Sequence, residues 1–133
     1  MLLVEDDKIN QLIGRTMLEA SGCEVTLAEG GAAAIQATDE RKFDIVFMDC
    51  QMPNVDGFEA TARLRTRERA AADGAARLII VAMTAHASQE DMERCLDAGM
   101  DDYLSKPFTR TQLTGMLEKW LAARSAGRDP GVR

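Results

Sequence analysis

Apolar residues fall in short blocks separated by stretches of helical spacing, and the two patterns alternate along the chain. Leu2 to Val4 suits a strand; Ile9, Leu12, Ile13 and Met17 then recur at helical intervals until Ser21-Gly22 stops them. Glu24 to Ala28 predicts a second strand, and Gly30-Gly31 opens an alanine-rich helix through about Thr38. Ile45 to Met48 is apolar at successive positions, as expected of a strand covered on both faces. Asp56-Gly57 marks a turn before a helix from about Phe58 to Arg69, and Leu78 to Met83 is the clearest buried strand. Gln89 to Ala98 predicts a helix stopped by Gly99, with Met92, Cys95 and Leu96 on one face. Asp102 to Ser105 is a short final strand, and Leu113, Met116, Leu117, Trp120 and Leu121 give the last helix a one-sided core stripe.

Such alternation implies right-handed crossovers and an α/β fold with a parallel sheet covered on both faces. Sheets of this kind carry their sites at the carboxyl ends of the strands, beside the switch point in strand order. Polar residues sit at those ends: Glu5-Asp6-Asp7 after the first block, Asp49 closing the third, Thr84 closing the fourth and Lys106 after the last. Thr66 to Arg77 reads as a frayed helix end and a loop with a solvated charge run. Ser125 to Arg133 reads as a tail without structure, which leaves residues 1–124 as the domain.

The chain has 133 residues, one domain by size, with 46% hydrophobic and 29% charged residues, an ordinary globular balance. A net charge of −6 argues against nucleic acid or an anionic membrane as a direct partner. No apolar run approaches the roughly 20 residues of a membrane span, and acids at Glu5 are unlike a signal peptide. The three cysteines, Cys23, Cys50 and Cys95, lack disulfide or zinc spacing. They read as small buried hydrophobes kept reduced in the cytoplasm.

Carboxylates converging at one spot repel one another, and a hard divalent cation resolves the conflict. Asp6 and Asp49 are candidate Mg²⁺ (or Mn²⁺) ligands, with Glu5 direct or through water and the Gln51 carbonyl as a further donor. An acidic helix N-terminus is the plainer account of Glu5-Asp6-Asp7 taken alone. Asp49 is the candidate nucleophile for a phosphoryl group, Lys106 a compact cation for its oxygens and Thr84 a hydroxyl donor. Main-chain N–H groups around Cys50, Gln51 and Ala85 complete the expected oxygen cage.

The stretches Leu3-Val4-Glu5-Asp6, Asp49-Cys50-Gln51-Met52-Pro53, Asp56-Gly57, Met83-Thr84-Ala85 and Lys106-Pro107-Phe108 together resemble the receiver domain of two-component signalling proteins, over about Leu2 to Arg124. The resemblance implies a five-stranded parallel sheet in order 2-1-3-4-5 with five helices. It implies Asp49 as phospho-acceptor, Glu5 and Asp6 as the acidic metal pair, Thr84 as switch hydroxyl, Tyr103 as switch aromatic and Lys106 as the cation. A cis Lys106-Pro107 bond is typical of the family. Asn10, Glu59-Ala60-Thr61 and Thr84-Ala85-His86-Ala87 look like receivers of hybrid sensor histidine kinases, although Asp7 stands where that subtype usually has Asn. By the same analogy Gln51 and His86 border the path of attacking water and tune phosphoryl lifetime; an uninvolved loop role is the alternative.

The implied partner is a histidine kinase or histidine phosphotransfer domain, with readout through a further partner, onward relay or self-association through the last two helices. The early position of Glu5 suggests a chain excised from a longer one, such as the cytoplasmic part of a membrane-bound hybrid kinase. Two rivals share parts of this pattern. A Mg²⁺-dependent phosphohydrolase with an aspartyl-phosphate usually has a second Asp where this chain has Gln51. A receiver-like module working without phosphorylation would not need the full set of site residues.

Overall fold

The structure, a computed structural model, describes residues 1–50, 56–70, 78–85, 88–106 and 108–125. Five strands, β1 (Leu2–Val4), β2 (Thr26–Ala28), β3 (Ile45–Asp49), β4 (Ile79–Thr84) and β5 (Asp102–Ser105), alternate with α1 (Lys8–Ala20), α2 (Gly31–Glu40), α3 (Gly57–Ala70), α4 (Gln89–Ala98) and α5 (Arg110–Ser125). All described strand pairs are parallel, in the order β2-β1-β3-β4-β5, as the resemblance implies. The order reverses between β1 and β3, so the crevice beyond their carboxyl ends is the switch point.

Successive strand side chains alternate between two cores. Leu2, Val4, Val46, Met48, Ile80 and Ala82 pack with residues of α2, α3 and α4. Leu3, Ile45, Phe47, Ile79, Val81 and Met83 pack with Leu18 of α1 and Leu113, Leu117 and Trp120 of α5. Filling both faces explains the uninterrupted apolar runs of β3 and β4, since burying each such side chain contributes about 1.5–3 kcal/mol.

Helix ends follow their capping residues. Asp7 caps α1 by accepting from the N–H groups of Ile9 (2.9 Å) and Asn10 (3.0 Å). Asp56 accepts from Glu59 N at 2.8 Å before α3, and Ser88 accepts from Asp91 N at 3.2 Å before α4. Gly99 ends α4 in the left-handed region at φ 107°.

Two expectations need correction, on the second strand and the α3 charge run, and α1 meets the core with residues outside its apolar set. The second strand begins at Thr26 rather than Glu24. The apolar stripe of α1 is not its core face: Ile9, Leu12 and Ile13 are 71%, 67% and 47% exposed, while Gln11, Gly14 and Leu18 are buried. Gly14 favours this face, because a Cβ there would lie 3.0 Å from Leu3 Cδ2 and press on that side chain. The charge run after Thr66 is not wholly solvated either. Glu68 accepts from Leu78 N at 2.7 Å and from Arg65 Nη1 at 2.9 Å, on the buried side of α3. Residues 71–77, Pro107, on which the expectation of a cis bond falls, and the tail from residue 126 lie outside the described residues.

Candidate functional site

Three site residues stand one step past, or at the last position of, neighbouring strands, and the sheet ladder itself fixes their backbones. Glu5 N–H donates to Ala28 O at 3.0 Å, Cys50 N–H to Met83 O at 3.0 Å and Lys106 N–H to Thr84 O at 2.8 Å. Glu5 and Asp49 are therefore in phase with Leu3 and Phe47, and Lys106 with Leu104, on the α1/α5 side. Thr84 and Tyr103 are in the opposite phase, with Ala82 and the α4 side.

This phasing brings the carboxylates together. One oxygen from each of Glu5, Asp6 and Asp49 lies within 4.8 Å of the others, with Glu5 and Asp49 buried and Asp6 exposed. Lys106 Nζ donates to Glu5 Oε1 at 2.7 Å and stands 3.5 Å from Asp49 Oδ2. Burial and the hydrogen bond with Asp49 push the Glu5 carboxyl above its ordinary value, which the Lys106 ammonium only partly offsets. Burial works against the Lys106 charge, but the hydrogen bond to Glu5 and the nearby Asp49 carboxylate hold its pKa above normal. Burial is the first cause of the raised Glu5, and the adjacent Asp49 carboxylate adds to it; an oxygen-seeking dication relieves such buried, crowded negative charge. The all-oxygen donor set fits Mg²⁺, and the open side at Asp6 leaves room for the waters it retains.

Asp7, the departure from the hybrid-kinase pattern, spends its carboxylate on the α1 cap and stays out of the cluster. Thr84 is buried at the end of β4, and Tyr103 is half-buried against the α4-side core. Gln51 and His86 lie outside the described residues.

Gly57 escaped sequence reasoning beyond its role as a turn. A Cβ there would collide with Asp49 O and come within 3.0 Å of Cys50 Cα, and neither backbone atom can yield cheaply. The first turn of α3 thus rests directly on the end of β3. Gly57→Ala should cost about 1–3 kcal/mol by overpacking and displace Asp49, measured as a lower urea midpoint together with impaired phosphoryl uptake.

Above the cluster, a cavity of about 360 Å³ is lined by Leu3, Ile13, Met83 and Phe108, with Glu5 and Lys106 at its polar end. Of the exposed apolar residues of α1, Ile13 lines it.

The response regulator receiver domain profile matches residues 1–118. The sensor protein GacS of Pseudomonas syringae pv. syringae is 44% identical over 120 residues, which cover 90% of this chain and 13% of that protein. Hybrid signal transduction histidine kinase A of Dictyostelium discoideum is 41% identical over 120 residues, covering 90% of this chain and 6% of that protein. The chain thus spans a small fraction of the curated relatives it matches. Among solved structures, the receiver domain of a Pseudomonas aeruginosa PAO1 sensor histidine kinase superposes with TM-score 0.80 at 41% identity, covering 91% of this chain and 95% of that one. That structure has a magnesium ion coordinated in its active site cleft. A Saccharomyces cerevisiae response-regulator receiver, co-crystallised with a histidine phosphotransfer protein, superposes with TM-score 0.86 at 34% identity, covering 92% of this chain and 88% of that one.

Proposed function

Because the chain belongs to the response regulator receiver domain family, we propose that Asp49 is its phospho-acceptor and that the domain stores a phosphoryl group as a signal. The chain is a receiver domain of two-component signalling, related to receivers of hybrid kinases. The observation that carries the finer reading is the convergence of Glu5, Asp6 and Asp49 with Lys106 at adjoining strand ends.

An Asp49 carboxylate oxygen attacks the phosphorus of a partner's phosphohistidine. The P–N bond breaks, and its electron pair returns to the imidazole, which takes up a proton. Lys106 exchanges its Glu5 partner for the incoming phosphoryl oxygens, a short move given its 3.5 Å distance from Asp49. The Thr84 hydroxyl meets another oxygen, and Tyr103 repacks on the α4 side as it does so. Glu5, Asp6 and Asp49, with the Gln51 carbonyl, would hold Mg²⁺, which when bound neutralises the crowded carboxylates and the phosphoryl charge. The chain catalyses only the acceptance and slow hydrolysis of its own phosphoryl group, with Gln51 and His86 setting the lifetime. Readout passes to a partner or to a second copy through α4 and α5. No described helix is long and apolar enough to cross a membrane.

The donor docks on α1. Ile9, Leu12 and Ile13 are apolar and exposed on α1, and Ile13 also lines the cavity bordered by Glu5 and Lys106, which suits an apolar helix face that carries the phosphohistidine. The yeast receiver that pairs with a phosphotransfer protein supports this class of donor. Leu12→Asp should weaken such a complex by about 2 kcal/mol or more while leaving phosphorylation by acetyl phosphate unchanged. Equal loss with both donors would point to a damaged site, and no loss with either would remove α1 from the interface.

A further inference from the structure

Two cysteines meet across the core at the end of the acceptor strand. Cys50 directly follows Asp49, and its phase with Val46 and Met48 turns it toward the α4 side of the sheet. Cys95 is the buried residue of α4. Their Sγ atoms are 3.7 Å apart, and the residues are 4% and 1% exposed. Cys23 packs with the opposite core, so the sheet separates it from the pair. Neither thiol has a part in metal binding or phosphoryl transfer, and the Cys50 N–H expected in the oxygen cage donates instead to Met83 O at 3.0 Å.

We infer that Cys50 and Cys95 are an oxidisable dithiol whose disulfide ties α4 to the end of β3 and lowers phosphorylation of Asp49. The regulatory half rests on the receiver reading; the cross-link itself does not. A disulfide is about 2.05 Å long, so the sulfurs must close by roughly 1.7 Å. The oxidant is hydrogen peroxide, small and uncharged enough to reach a buried pair. One sulfur gives an electron pair to a peroxide oxygen, forming a sulfenic acid and releasing water. The second sulfur displaces the sulfenic hydroxyl, a second water leaves, and the S–S bond forms. The two sulfurs lose two electrons and one peroxide becomes two waters.

Burial shields both thiols from oxidant in solvent. Reaction then waits on local opening of α4, and the site responds to sustained rather than brief oxidant. Once formed, the bond closes a loop between residues 45 positions apart. It restrains Asp49 through the adjoining peptide and restrains α4, beside which Tyr103 packs in the same core.

The test treats the reduced full chain with hydrogen peroxide, caps free thiols with N-ethylmaleimide and maps peptides by mass. The expected product joins Cys50 to Cys95, forms in Cys23→Ala, is absent from Cys50→Ala and Cys95→Ala, and reverts with dithiothreitol. The linked chain, given acetyl phosphate and Mg²⁺, should phosphorylate at least about fivefold more slowly and recover on reduction. Oxidation of Cys23 while Cys50 and Cys95 stay unlinked would overturn the proposal. A linked chain phosphorylated at the reduced chain's rate would overturn its regulatory half. A reduced chain that takes up no phosphoryl group would count against the receiver reading alone, because the cross-link is read by mass.

Discussion

Asp49→Asn protein takes up no phosphoryl group from acetyl phosphate or from a phosphohistidine donor, whatever the Mg²⁺ concentration. The amide keeps the shape of the carboxylate but cannot supply the oxygen nucleophile. The fold survives the change, because Lys106 retains its 2.7 Å bond to Glu5 and the β3–β4 ladder involves only main chain at residue 49. Intact-protein mass after incubation reads the result, with circular dichroism as the folding control. A phosphorylated Asp49→Asn chain would move the acceptor to another residue and remove the basis of the site.

Arg65→Ala is expected to cost about 3–5 kcal/mol, the range for breaking one side of a buried ion pair. Arg65 is 7% exposed and joins three elements with one guanidinium. Nε donates to Gly99 O at 2.8 Å, Nη1 to Leu78 O at 2.6 Å and Nη2 to Asp101 Oδ2 at 2.8 Å. Asp101 in turn accepts from Ile80 N at 2.8 Å, so the loss reaches β4 as well as the α4–β5 turn. Urea unfolding followed by the single tryptophan, Trp120, measures it, since Trp120 lies in the opposite core and reports the whole fold. Arg65→Lys should recover only part of the loss, because an ammonium cannot fill the planar fork. A cost under about 1 kcal/mol, typical of a solvated pair, would refute the account of Arg65 as the tie between α3, β4 and the α4–β5 turn.

The strands and the polar residues at their ends were legible because a parallel sheet writes both into the sequence. A strand covered on two faces must be apolar at consecutive positions, as in β3 and β4, and a functional side chain must stand where the run stops. Glu5, Asp49, Thr84 and Lys106 are readable for that reason, and strand phase explains how the first two and the last share a side. Which face of a helix meets the sheet is less legible. Ile9, Leu12 and Ile13 have the right period for a core stripe, yet α1 packs through Gln11, Gly14 and Leu18 and leaves them exposed.

Contacts remote in sequence were not legible at all. Arg65 and Asp101 are 36 positions apart, and nothing in the charge pattern of α3 singles Arg65 out from its exposed neighbours such as Arg63. Cys50 and Cys95, 45 positions apart, lack any spacing that marks a pair. Gly57 reads as a turn residue, and only the packing of α3 on Asp49 gives it a second reason.

The central claim is that Asp49 holds a phosphoryl group rather than turning over a substrate. Its most direct test is time-resolved intact mass of the wild-type chain mixed with acetyl phosphate and Mg²⁺, then freed of donor and divided with and without EDTA. The account predicts one added phosphoryl group, mapped to Asp49, formed only with Mg²⁺ and lost slowly once donor is removed. Continuous release of inorganic phosphate over many turnovers, with no adduct accumulating, would contradict it.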